Sequence, residues 1–129
     1  MDKALEAKLI ERFPTFFVDM YGDPTKTCMH WGCTCGNGWY DLIYKTCEQI
    51  EALGPPEDFK LAQVKEKFGG LRIYTENGNQ DIGKLIGAAE TESYKTCEEC
   101  GTKEGVTVEG AWIRSLCGGC RNARRKTNE

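Results

Sequence analysis

Over residues 2–13 the apolar positions Leu5, Leu9, Ile10 and Phe13 recur at helical spacing between Asp2 and Pro14, which predicts a short amphipathic helix. A second helical stripe, Trp39, Leu42, Ile43, Thr46, Cys47 and Ile50, follows the turn Gly36-Asn37-Gly38, where Asn37 or Gly38 is placed to cap it. Gly54-Pro55-Pro56 ends it. The period then changes to alternation through Val64-Lys65-Glu66-Lys67-Phe68 and Leu71-Arg72-Ile73-Tyr74-Thr75, with Gly69-Gly70 between them. This predicts a β-hairpin with a two-residue turn that pairs Phe68 with Leu71, Lys67 with Arg72, Glu66 with Ile73 and Lys65 with Tyr74. Val64, Phe68, Leu71 and Ile73 then share one face with Glu66, and Lys65, Lys67, Arg72 and Tyr74 share the other. A third helix starts near Asp81, carries Ile82, Leu85, Ile86 and Ala89 on one face, and ends near Ser93. Beyond it, Val106-Thr107-Val108 and Ala111-Trp112-Ile113 read as two short strands around Glu109-Gly110.

The length, 129 residues, suits a single domain. Leu, Ile, Val and Phe together supply only 24 of those residues, and eight tryptophans and tyrosines, which bring the aromatics to thirteen, and eight cysteines supplement them. So thin an aliphatic supply implies that something besides apolar burial holds the chain together, and the cysteines point to metal. No apolar run is long enough for a membrane span, and the opening Met1-Asp2-Lys3-Ala4-Leu5-Glu6 lacks the apolar stretch of a secretory signal. The expectation is a protein of the reducing cytoplasm, where cysteines serve as ligands or buried thiols and not as a disulfide framework.

The cysteines fall into two groups, and the second carries the stronger signal. Cys97-Glu98-Glu99-Cys100 and Cys117-Gly118-Gly119-Cys120 flank 16 residues, which is the spacing of a structural zinc site. Two residues between thiolates let a tight turn aim both sulfurs at one point, and Gly101, Gly118 and Gly119 tolerate the dihedrals such turns require. The alternative is four buried thiols or a redox pair. Fold class follows: α+β, a small helical and β-hairpin body over residues 1–96 and a four-cysteine zinc-ribbon or treble-clef-like module with a basic tail over residues 97–129, forming one compact unit. Zinc is the cofactor, one ion held by Cys97, Cys100, Cys117 and Cys120, and four sulfurs leave it no open position for catalysis. The single histidine excludes the deaminase signature and histidine-metal nucleases, and no Gly-rich phosphate loop or nucleophile with a base is present, so no enzyme is expected. Glu98 and Glu99, on the turn between ligands, are expected to face water. In the first group, Cys28, His30, Cys33, Cys35 and Cys47, the Cys-x-Cys and Cys-x4-Cys spacings match no standard closed site. Buried thiols are the favoured reading there and a second metal site the alternative.

Charge is segregated. Residues 121–129 carry +3, leaving −6 on residues 1–120, within a total of −3. Four thiolates with one Zn2+ would move the total to −5, which disfavours indiscriminate nucleic-acid affinity. Lys65, Lys67, Arg72 and Tyr74 on the hairpin and Arg121, Arg124 and Arg125 in the tail are the candidate partner-binding residues. Set against this is the plainer reading of a solvated face and a frayed terminus.

The stretch Gln63-Val64-Lys65-Glu66-Lys67-Phe68-Gly69-Gly70-Leu71-Arg72-Ile73-Tyr74 resembles a family of small proteins encoded by tailed phages and prophages. Cys35-Gly36-Asn37-Gly38-Trp39, Ala89-Glu90 followed by Ser93, and the two cysteine pairs share in that resemblance. It implies a virus-borne accessory protein, and such proteins include inhibitors of bacterial immunity, anti-CRISPR proteins among them. The leading expectation is a non-enzymatic binding protein of the host cytoplasm, with no membrane role, that docks on a host protein. In its most concrete form it blocks DNA loading or cleavage by a CRISPR effector nuclease, whose basic channel the −6 body would complement. Residues 97–125 also resemble the zinc fingers of small regulators of RNA polymerase. The second choice is accordingly a nucleic-acid-binding or transcription-regulating zinc finger using Arg121, Arg124, Arg125 and Lys126 with the hairpin face.

Overall fold

A computed structural model gives the architecture. It describes the backbone of residues 1–127 and the side chains of residues 1–124. Its elements are α1 (Lys3–Arg12), β1 (Cys33–Thr34), α2 (Tyr40–Ala52), β2 (Lys60–Lys67), β3 (Gly70–Glu76), α3 (Gln80–Ser93), β4 (Val106–Glu109), β5 (Arg114–Cys117) and α4 (Gly118–Thr127), with 3-10 turns at Cys28–Trp31 and Asn37–Trp39. One sheet has the order β1-β2-β3 and the other pairs β4 with β5. The class is α+β, as the sequence predicts.

Each predicted helix forms where its apolar stripe lies. In α1 the buried face is Leu9 with Phe13 just past its end, and Leu5 and Ile10 are half-buried. Trp39, Ile43, Thr46, Cys47 and Ile50 are buried along α2, which starts at Tyr40, so Asn37 and Gly38 lie in the 3-10 turn before it and do not cap it. In α3 the Asn79 side chain accepts from the Ile82 N–H at 3.0 Å, an N-cap that satisfies one of the helix's free donors. Aromatics fill what the aliphatics cannot: Phe16 packs edge-on against Phe59 with ring centroids 5.0 Å apart, and Phe13 against Tyr44 at 5.3 Å.

The central hairpin differs from expectation in its turn. Lys67 pairs with Gly70, Glu66 with Leu71, Lys65 with Arg72 and Val64 with Ile73, so the turn residues are Phe68 and Gly69, both at positive φ (53° and 84°). Two successive positive φ values make the hairpin turn whose twist suits the flanking strands. Tertiary contact selects it. A Cβ on Gly69 would lie 3.0 Å from Val108 Cγ1 and 3.3 Å from Ser115 Oγ, and Ser115 donates to the Gly69 carbonyl at 2.6 Å. The slip is by two residues, so the faces survive: Val64, Leu71 and Ile73 are buried. Phe68 is the exception, leaving the apolar face for the turn, where it is 66% exposed.

β1 adds a strand that the periodicity does not predict. Its two residues pair in parallel with Val64 and Lys65, and Glu6, buried on α1, accepts from the Cys33 N–H and from the Tyr21 hydroxyl. In the C-terminal module the second strand is β5, not 111–113. Ala111, Trp112 and Ile113 form the turn with Gly110, and Glu109 pairs with Arg114. Residues 121–127 of the tail are helical, as part of α4, and Asn128 and Glu129 lie outside the described residues.

Candidate metal centre

The sequence runs from the turn holding Cys97 and Cys100, through the β4–β5 hairpin, to Cys117 at the end of β5 and Cys120 in the first turn of α4. Turn, hairpin and helix in that order make the module treble-clef-like. The strands bring the pairs together, and the four sulfurs lie within 4.8 Å of one another. Cys100 Sγ and Cys117 Sγ are 3.8 Å apart, which is the edge of a tetrahedron with Zn–S of about 2.3 Å. The cluster can hold a metal ion, and four soft thiolates in a closed set fit zinc.

Backbone donors prepare the sulfurs. The Cys120 N–H donates to Cys117 Sγ at 3.4 Å. Burial acts to raise the Cys97 thiol, but backbone N–H groups of Cys100, Cys117 and Glu99 outweigh it and bring Cys97 down to about 7. Cys120 is pushed up, by burial first and then by the neighbouring sulfurs, a penalty that a cation at the centre would reverse. Of the three glycines expected to take unusual dihedrals, only Gly101 does so (φ 82°); Gly118 and Gly119 begin α4.

The expectation for Glu98 and Glu99 divides. Glu99 is exposed and ion-paired with Arg114 at 3.1 Å, whereas Glu98 is buried, 3.0 Å from Arg114 Nε, and accepts from the Gly36 N–H at 2.8 Å. Glu98 thereby joins the metal-binding turn to the segment before α2. That joint has three more members: the Gly38 N–H donates to the Glu98 carbonyl at 2.7 Å, the Trp39 indole to the Thr96 carbonyl at 3.0 Å, and a Cβ on Gly36 would sit 2.4 Å from the Glu98 carbonyl oxygen. Gly36 and Gly38 are therefore contact positions for the cysteine turn. Their only signal in the sequence is two glycines around one asparagine, which reads as a plain turn until its neighbour is known.

Three arginines of the candidate basic surface have internal partners. Arg72, opposite Lys65 in the hairpin, is ion-paired with Glu90 at 2.9 Å and donates to the Tyr94 hydroxyl at 3.3 Å. Arg121 donates to the carbonyls of Glu109, Thr107 and Arg114, bracing the β4–β5 hairpin. Arg124 reaches Glu99 at 3.5 Å. The Arg125 side chain lies outside the described residues. Tyr74 is exposed, and Lys65 and Lys67 carry no ion pair among the described residues.

Among the described residues the first cysteine group does not converge on one point. Cys28 is exposed, His30 Nδ1 is engaged by the Gly22 carbonyl, and Cys33, Cys35 and Cys47 are buried. Burial, and then Glu6, pushes Cys33 up to about 12; burial, and then Glu51, does the same to Cys47; and Cys35 is raised too. Below the ordinary thiol value of 9.0 these groups are protonated folded or unfolded. Above it the unfolded chain ionises first, so stability falls as pH rises from about 9 to about 12. Melting temperature is expected to drop from pH 9 upward. Iodoacetamide is expected to label Cys28 promptly at neutral pH, with Cys33, Cys35 and Cys47 labelled only as the chain unfolds; prompt labelling of Cys47 would refute the buried-thiol assignment.

No helix among the described residues is long and apolar enough to cross a membrane. No protein-family model, curated protein or solved structure matches the chain.

Proposed function

We propose that the chain is a non-enzymatic binding protein, scaffolded by one structural zinc ion, that acts by occupying a surface of a partner protein. One observation carries this reading. Phe68 and Trp112, 66% and 76% exposed, stand beside half-exposed Val108 and Ile113 where the two hairpin turns meet, and the Ser115 to Gly69 hydrogen bond fixes that junction. Large side chains clustered on a firm mount and left to water mark an interaction surface. The cysteine cluster lies at the end of the β4–β5 hairpin opposite that turn, where a bound zinc ion would hold the base of the two strands.

In its most concrete form the partner is a CRISPR effector nuclease and the protein an anti-CRISPR inhibitor of phage origin. Support comes from the resemblance of the central motif and from the −6 charge of residues 1–120, which complements a basic channel. Expression in a bacterium whose CRISPR system targets a phage is expected to restore plaques; absence of rescue removes this form. The nucleic-acid reading has less to stand on, because Arg72, Arg121 and Arg124 already have internal partners. DNA and RNA are expected to migrate unretarded at low salt, and a retardation that falls steeply with added salt would favour the regulator instead.

A further inference from the structure

Between residues 65–68 of the central hairpin and residues 111–113 of the β4–β5 turn lies a groove of about 310 Å3. Its apolar walls are Phe68, Trp112 and Ile113, and Ile113 and Val108 also pack toward Gly69. Neither aromatic is buried in the core, although an aromatic ring withdraws roughly 150–250 Å2 when covered.

The charged lining is two lysines and one carboxylate, a net of +1. Lys65 and Lys67 line the groove and neither is in an ion pair among the described residues. Lys67 Nζ instead stands 5.8 Å from the centre of the Phe68 ring. The one carboxylate of the lining, Glu66, is turned back to accept from the Gly69 N–H at 2.9 Å. Lys60 is paired with Asp19, Lys103 with Glu92, Arg12 with Glu51 and Arg114 with Glu98 and Glu99. Lys3, Lys8, Lys26, Lys45, Lys84 and Lys95 share with the groove's lysines the lack of an ion pair among the described residues. What sets Lys65 and Lys67 apart is their place beside Phe68 and Trp112. On a chain of net charge −3, unneutralised lysines concentrated beside exposed apolar rings identify what the groove complements.

We infer that the groove is the docking site for an acidic segment of a partner protein, with an apolar side chain inserted against Phe68 and Trp112 and flanking carboxylates meeting Lys65 and Lys67. The inference rests on the reading of the chain as a protein-binding protein and is independent of which protein that partner is. A single nucleic-acid strand also uses rings and cations. It needs a track of cations along its backbone, however, and this groove offers two, on an acidic protein.

The test is selection of a random peptide library on the zinc-loaded full chain, with oligothymidylate as competitor. Enriched peptides are expected to carry Asp or Glu around an aromatic or aliphatic residue and to resist oligothymidylate. Trp112→Ala is expected to weaken them by at least about thirtyfold, the scale of an interfacial aromatic anchor. Lys65→Glu with Lys67→Glu is expected to weaken them by about tenfold at low salt and less at high salt. Lys84→Glu, exposed on α3, serves as the control and should change nothing. Because Trp112 is exposed, its truncation leaves the fold intact, which circular dichroism verifies. Neutral or basic consensus peptides, no enrichment, undiminished binding to Trp112→Ala, or displacement by oligothymidylate would each overturn the inference. Plaque rescue that survives Trp112→Ala would locate the inhibitory contact elsewhere and overturn the groove while sparing the inhibitor reading. Acidic peptides bound at the groove without any plaque rescue would do the reverse.

Discussion

Stripping the metal is expected to unfold residues 97–127 and to leave residues 1–96 largely helical. The expectation follows from how little the module buries. Among its described residues only Cys97, Glu98, Ser115 and Leu116 are buried, and β4 shows almost its whole length to water. Two strands of four residues and one helix of ten cannot stand on that core, whereas structural zinc supplies roughly 10–16 kcal/mol of apparent binding energy near neutral pH. Elemental analysis of reduced protein is expected to find one zinc per chain. Chelation should abolish the ellipticity of α4 and the protection of β5 amides against hydrogen exchange, and zinc should restore both. Cys97→Ser should behave like the chelated protein, because Cys97 is the fully buried ligand and its loss leaves three sulfurs for a four-coordinate ion. A chain that binds no zinc, or that keeps β5 protection without it, would refute the metal as the scaffold of residues 97–127.

The same small core explains which parts of the structure the sequence disclosed. Periodicity placed α1, α2 and α3 because each helix decides its inward face within its own residues, and the Cys-x2-Cys pairs disclosed the ligand set because metal geometry is local. What stayed hidden depends on contacts across the chain. Glu6 is no part of the apolar stripe predicted for α1 and is buried because Tyr21 and the Cys33 amide reach it. β1, two residues long, has no period to detect. Gly69-Gly70 and Phe68-Gly69 are both acceptable turns in isolation, and Val108, Ile113 and Ser115 packed on Gly69 choose between them. A pattern of this kind also changes how the distinctive motifs are understood. Gly36, Gly38, Gly69, Gly70 and Ser93 meet the cysteine turn, the β4–β5 hairpin, Tyr94 and the Leu71 amide; their shared task is to seat one part of the chain on another. The surface proposed to act is carried by Phe68 and Trp112, and Trp112 belongs to no motif.

Gly38→Ala is expected to be the most damaging single methyl that can be added to this chain. A Cβ there would lie 2.1 Å from the Cys97 carbonyl oxygen and 2.6 Å from both the Glu98 carbonyl oxygen and the Gly101 amide nitrogen. All three are backbone atoms, so no flexible side chain can swing aside, and the turn carrying Cys97 and Cys100 must move or Trp39 must withdraw. Neither is cheap. Trp39 is fully buried and its indole is bonded to the Thr96 carbonyl, while the Gly38 amide holds the Glu98 carbonyl from the same side. Overpacking against fixed backbone, with loss of those two hydrogen bonds, is expected to cost about 4 kcal/mol or more in urea unfolding. Because the displaced turn presents two of the four sulfurs, zinc affinity measured by competition with a chromophoric chelator should fall with stability, and excess zinc should recover part of the loss. Gly87→Ala supplies the contrast: it lies within α3, nothing stands within 4 Å of its added Cβ, and it is expected to stabilise the chain by about 0.5–1 kcal/mol through helix propensity. If Gly38→Ala matched wild type in both unfolding free energy and zinc affinity, the close seating of the cysteine turn on residues 36–39 would be wrong, and with it the coupling between zinc affinity and the packing of that joint.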